Sequence, residues 1–156
     1  MMTEKAIYYE DFTVGDLYIH HQGRTVTEAD NHMFTLLVMN TAELHFNQDM
    51  VERDPEVSFG GRRVVYGGIV LSIVVGLTSD FGESILIDIG YDNGRHTAPV
   101  FHGDTLYAES EVLSKRDADR PDAGIVQFKL VGKNQQGTVV LEIEREVLIK
   151  KHPSKE

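Results

Sequence analysis

The run Ile69 to Leu77, IVLSIVVGL, limits what this chain can fold into more than any other stretch. Only Ser72 and Gly76 interrupt its apolar character, and it holds no charge. A helix on a protein surface sets an apolar stripe against a polar one, so a segment without that contrast predicts burial on all sides. A short apolar run also suits a buried strand, but strands usually stop at about eight residues and this pattern continues further. Ile69, Ile73 and Leu77 fall four apart, Val70 and Val74 lie beside them, and Phe81 continues the row. The spacing predicts a helix from about Gly68 to Asp80. Gly82 fits its stop, and the Gly67-Gly68 pair fits a close backbone approach at its start. The apolar core is far short of the ~20 residues a membrane span needs.

A buried helix needs a cover, and the rest of the chain offers strands. Leu17 to Val26 reads as a strand in which Gly23 marks a bulge or a tight approach. Thr27 to about Met39 reads as a helix, with Thr27 as its cap, acids in its first turn, and Met33, Phe34, Leu37 and Val38 on one face. Asn40 to Gln48 has no period and reads as a polar loop. Asp49 to Glu56 reads as a short acidic helix or turn. After Gly82 the period changes to two. Ser84 to Tyr91 is a strand, with Asp92-Asn93-Gly94 either a turn or a bulge in a longer strand reaching Thr97. Thr105 to Leu113, Ile125 to Val131 and Thr138 to Ile149 alternate, with an exposed loop at Lys115 to Gly124 and a hairpin turn at Asn134 to Gly137. The expected architecture is α+β: four strands in meander-like order after the helix, forming an antiparallel sheet with one wet face that wraps the buried helix. A second copy would complete the cover.

At 156 residues, 41% hydrophobic and 26% charged, the chain reads as one globular domain over residues 1–156. Its formal charge of −10 argues against nucleic acid or an anionic membrane as a main partner. It has no cysteine, which removes disulfides, thiolate metal sites and cysteine nucleophiles. His20, His21, His32, His96 and His102 show no metal spacing. The first residues, MMTEKAIYYEDF, lack the apolar core of a signal peptide, so a cytoplasmic location is expected. Asp104 reads as a turn residue, and Arg145, which interrupts an apolar strand face, as a paired or interface arginine.

Four blocks carry a family resemblance. They are Arg24 to Asp30 (RTVTEAD), Asn40 to Phe46 (NTAELHF), Phe59 to Gly67 (FGGRRVVYG) and Ala98 to Leu106 (APVFHGDTL). In this order they resemble the MaoC-like dehydratases, the group that includes R-specific enoyl-CoA hydratases and mesaconyl-CoA hydratases. The resemblance implies a hot-dog fold, an antiparallel sheet wrapped around a central helix, working as a homodimer or higher homo-oligomer. It implies hydration of an enoyl-CoA, or dehydration of the matching 3-hydroxyacyl-CoA, with no cofactor beyond the coenzyme A of the substrate. His45 stands at the motif histidine. Asn40 stands where the family has its catalytic aspartate, Ala42-Glu43 replace an Asn-Pro pair, and Tyr66 replaces the histidine before the helix glycine. The NTxxLH form resembles the mesaconyl-CoA hydratase-like branch.

Hydration of an enoyl thioester builds negative charge on the thioester oxygen, which an amide at a helix N-terminus stabilises. By resemblance the donor is the Gly67 amide, with Gly68 beside it and Tyr66 lining the site. His45 is the candidate base, since a neutral imidazole takes a proton near pH 7. Asn40 can hold a water but cannot take up a proton there. Arg62 and Arg63 either meet the phosphates of coenzyme A or pair with surface acids. Two other readings stay open. An acyl-CoA thioesterase would use a carboxylate such as Glu43 or Asp49, and a non-catalytic homologue would bind acyl-CoA without turnover.

Overall fold

The computed structural model describes residues 7–56 and 58–153. Five strands form one antiparallel sheet: β1 (Leu17–Thr25), β2 (Ile85–His96), β3 (Thr105–Asp117), β4 (Ala123–Lys133) and β5 (Val139–Lys150). Three helices lie between β1 and β2: α1 (Glu28–Leu37), α2 (Gln48–Arg53) and α3 (Gly67–Leu77). The strand order is β1-β3-β4-β5-β2. This corrects the expected meander. Only β3, β4 and β5 follow one another, while β2 pairs with β5 at the far edge. The segment after β2 explains why β2 and β3 do not form a hairpin. It runs back to the start of α3, where Val100 accepts from the Val65 amide at 2.8 Å and Phe101 bridges Val64.

Local sequence fixes most boundaries. Thr27 caps α1 through a capping box: its hydroxyl accepts from the Asp30 amide, and the Asp30 carboxylate accepts from the Thr27 amide at 2.8 Å. That backbone bond is the main reason the Asp30 carboxyl titrates below the usual range, and Arg24 adds a bidentate contact at 2.9 and 3.0 Å. Asp92 to Gly94 lies within β2, whose register shifts there, so the bulge reading holds and the turn reading does not. The loop expected at Lys115 to Gly124 is shorter, because Lys115, Arg116 and Asp117 pair with Val126, Ile125 and Gly124. Charge misled the reading of Lys115. Its ammonium donates to the Tyr9 and Phe12 carbonyls at 2.8 and 2.7 Å and fastens the N-terminal segment.

The sheet curves around α3. Ile69, Val70 and Val74 join Leu106, Leu130, Leu141 and Ile149 in one buried cluster. Each such side chain contributes about 1.5–3 kcal/mol when fully buried. Phe12, Phe81 and Phe128 fill one end with ring centroids 5.3–5.5 Å apart. Beside them, buried His20 bridges Asp80 at 2.6 Å and Ser110 at 2.7 Å, clasping β1 and β3 to the turn after α3. Arg145 is paired, with Asp88 at 2.5 Å and Thr78 at 2.7 Å, and Asp104 is the expected turn residue, accepting from the Phe101 amide.

The expectation that α3 is buried on all sides needs correction. Ser72 and Gly76 are exposed and Ile73 is half-buried, so within one chain a strip of the helix stays open. Alongside it α1 exposes Met33, Leu36 and Leu37. Among the described residues, no helix is long and apolar enough to cross a membrane.

Candidate active site

The start of α3 is built for close approach. Tyr66 is its cap residue, and its carbonyl accepts from the Ile69 and Val70 amides at 2.9 and 3.4 Å. The Gly67 and Gly68 amides are first-turn donors with no acceptor among the described residues. At both positions a side chain would press on a neighbouring ring. A β-carbon on Gly67 would stand 2.6 Å from His96 Nε2, and one on Gly68 would stand 2.4 Å from the Tyr66 ring. The packing role of the glycine pair and an open amide edge therefore coexist.

His45 closes a 3-10 turn at Glu43–His45, in the loop between α1 and α2. Its Nδ1 lies 2.9 Å from the Val64 carbonyl. A carbonyl only accepts, so Nδ1 carries a proton, and in the neutral form of the ring Nε2 is the nitrogen that keeps a lone pair. The imidazole meets Tyr66 edge-on, with ring centroids 5.5 Å apart, and Tyr66 also faces Phe34 at 6.3 Å. The fold thus brings His45, Tyr66, Gly67 and Gly68 together: an imidazole anchored through Nδ1, an aromatic wall and two amides at the positive end of a helix. Such a set can accept one proton and stabilise one oxyanion.

Asn40 also has a local role. Its side-chain oxygen accepts from the Ala42 amide at 2.9 Å, and its backbone N–H donates to the Thr35 carbonyl at 3.0 Å. It shapes the loop that carries His45, and the polar group it has left for a water is its amide NH₂. Arg62 lies at the surface with its guanidinium 3.6 Å above the Phe101 ring centroid, and no carboxylate among the described residues pairs with it. Arg63 takes the structural role instead, paired with Glu28 and donating to Gln48 at 2.8 Å. Asp49 is exposed and pairs with Arg53 one turn later, and Glu43 is exposed.

Two grooves flank the first turn of α3. One of about 440 Å³ runs between α1 and α3, lined by Arg24, Asp30, Met33, Phe34, Leu37, Ile69 and Ile73. The other, about 350 Å³, is lined by Phe59, Val65, Gly67, His96 and Pro99. His96 and buried Asn31 are site-adjacent residues that the sequence reading passed over. For Asn31 a signal existed: it stands three and four residues before Phe34 and Thr35, on the face of α1 that turns inward.

Comparison with known proteins places this geometry in a family. The family profile described as mesaconyl-CoA hydratase matches residues 3–151. A β-methylmalyl-CoA dehydratase from Chloroflexus aurantiacus is 39% identical over 124 residues, which cover 79% of this chain and 34% of that protein. A mesaconyl-CoA hydratase from Cereibacter sphaeroides is 36% identical over 121 residues, covering 78% and 33%. The chain therefore spans about one third of the length of these curated relatives. A solved structure from Archaeoglobus fulgidus, described as a monoamine oxidase regulatory protein, superposes with a TM-score of 0.84 at 32% identity, covering 98% of this chain and 100% of that one. The sheet wrapped around α3 is the hot-dog fold, and the chain belongs to the MaoC-like mesaconyl-CoA hydratase family.

Proposed function

We propose that the chain is a hydro-lyase acting on acyl-CoA thioesters, adding water to an enoyl-CoA or removing it from the 3-hydroxyacyl-CoA. The observation that carries this is the His45 imidazole, anchored through Nδ1 to the Val64 carbonyl beside the amide edge of α3, which leaves Nε2 as its proton acceptor. In the hydration direction, His45 Nε2 takes a proton from water as the water oxygen bonds to the β-carbon. The displaced π electrons pass through the α-carbon to the thioester oxygen, where the Gly67 and Gly68 amides stabilise the charge. The imidazolium then returns a proton to the α-carbon, so one water is added and nothing is oxidised. The reaction is redox-neutral and each charge has a protein partner, so the proposal needs no metal or redox cofactor. Asn40 holds the water through its amide NH₂, and Tyr66 walls the reacting carbons.

The family and the names of its relatives support a short or branched acyl group of the mesaconyl kind. Arg62, stacked on Phe101 and paired with no carboxylate among the described residues, is the proposed contact for the phosphates of coenzyme A. The thioesterase reading loses support because Asp49 is turned to solvent and paired. An acyl-CoA substrate also supports a cytoplasmic location.

We further propose that two copies pack their open faces together. The strip of α3 left uncovered by the sheet lies beside exposed Met33 and Leu37, at 70% and 80%, and edge strand β2 exposes Ile87, Ile89 and Tyr91. Apolar surface on this scale marks an association site.

Three outcomes are expected. His45→Ala lowers kcat by about 10²–10⁴-fold on crotonyl-CoA or mesaconyl-CoA, followed by enoyl absorbance, with unchanged circular dichroism; wild-type turnover in that variant would falsify the assignment. Gly68→Ala forces the half-buried Tyr66 ring aside, costing about 1–3 kcal/mol in urea unfolding and lowering turnover as well. Unchanged stability and rate would show that the close approach is unimportant. Light scattering should give twice the 17.5 kDa chain mass, and Leu37→Glu should halve it. A wild-type monomer at micromolar concentration would contradict the paired arrangement.

A further inference from the structure

Asn31 sits inside α1 and is 2% exposed. A buried carboxamide is costly unless its donors and its acceptor are engaged. Its amide nitrogen donates to the His45 carbonyl at 2.8 Å and to the Val64 carbonyl at 3.2 Å, and its oxygen accepts from the Tyr66 amide at 2.9 Å. The orientation is unambiguous, because both carbonyls can only accept and the Tyr66 N–H can only donate. Three segments converge on this one side chain: α1, the turn carrying His45, and the stretch that leads into α3.

The Val64 carbonyl links these bonds to the chemistry. It takes the Asn31 amide on one lone pair and His45 Nδ1–H, at 2.9 Å, on the other. Asn31 therefore holds the group that decides which imidazole nitrogen is protonated. It also grips the main chain of His45 directly and the amide of Tyr66, one residue before Gly67. The candidate base and the candidate oxyanion donors are referenced to the same carboxamide. A residue that only stapled α1 to its neighbours would not need to reach both.

We propose that Asn31 is a positioning residue that keeps the His45 imidazole in its Nδ1–H form and sets its place against the amide edge of α3. Its consequence for rate rests on the hydratase reading, whereas its consequence for the imidazole does not.

The test combines two measurements on wild type, Asn31→Ala and Asn31→Asp. Asn31→Asp is nearly isosteric. It keeps an acceptor for the Tyr66 amide and replaces both donors with oxygen facing two carbonyls. Long-range proton–nitrogen NMR of histidine-labelled protein reads the tautomer, with the His45 signal assigned by its loss in His45→Gln. Steady-state kinetics with crotonyl-CoA reads turnover. In wild type Nδ1 is expected to be protonated and Nε2 bare. In both folded variants the His45 tautomers should mix, and kcat should fall on the order of 10²-fold, as a misplaced group of this kind produces, with KM little changed. A folded variant that keeps both the wild-type tautomer and the wild-type kcat overturns the proposal. If neither variant folds, the wild-type spectrum decides. Nε2–H at His45, or Asn31 amide protons exchanging at the solvent rate, overturns it, whereas Nδ1–H with protected Asn31 protons sustains it. If wild type is silent on enoyl-CoA and the variants still shift the tautomer, the hydratase reading fails and the positioning claim stands.

Discussion

Everything in this molecule is arranged around the need to keep water from α3. The helix carries apolar side chains on nearly every side, and no single neighbouring surface can cover such an object. The antiparallel sheet does most of it by curving, with alternate residues of β3, β4 and β5 turned inward. Its two edges, β1 and β2, stop where the curve ends, and that leaves the strip around Ser72, Ile73 and Gly76. The same enclosure decides where chemistry can occur. A helix sheathed along its length presents polar backbone only at its ends, and at the N-terminal end glycines allow other groups to close in. The α1–α2 loop and the end of β2 both run to this end, bringing His45 from one side and His96 from the other.

The parts of this structure that were legible in the sequence share one property: they depend on neighbours close in the chain. The central helix, the capped start of α1, the hairpin at Asn134 to Gly137 and the alternation of β3 to β5 all follow from local spacing. The misread parts depend on distant partners. Lys115 looks like a loop residue until Tyr9 and Phe12 supply carbonyls more than a hundred positions away. β2 looks like the first arm of a meander until the return segment claims the start of α3. Arg62 and Arg63 are indistinguishable as letters, yet one lies at the surface on Phe101 and the other is turned inward to Glu28 and Gln48.

The candidate site divides along the same line. His45 was visible through the NTAELHF block, but the nitrogen it anchors depends on the carbonyl of Val64, which carries no chemical signal of its own. Asn40 is expected to hold water through its NH₂, and its side-chain oxygen in addition braces the loop. Asn31 was passed over, although it makes more contacts to the site's backbone than any of the residues singled out for it. Backbone carbonyls and amides do much of the positioning here. They are the same at every residue, so a sequence says little about which ones are used.

The measurement that bears most directly on this account is the fate of solvent oxygen. Crotonyl-CoA or mesaconyl-CoA would be incubated with the protein in water enriched in a heavy oxygen isotope, and the products weighed by mass spectrometry. If His45 activates water toward the β-carbon while the α3 amides hold the thioester oxygen, the label enters the β-hydroxyl of an intact coenzyme A ester. Label in a free carboxylate, with coenzyme A released, would mean that water is directed at the thioester carbon, and the arrangement of base and helix proposed here would be wrong.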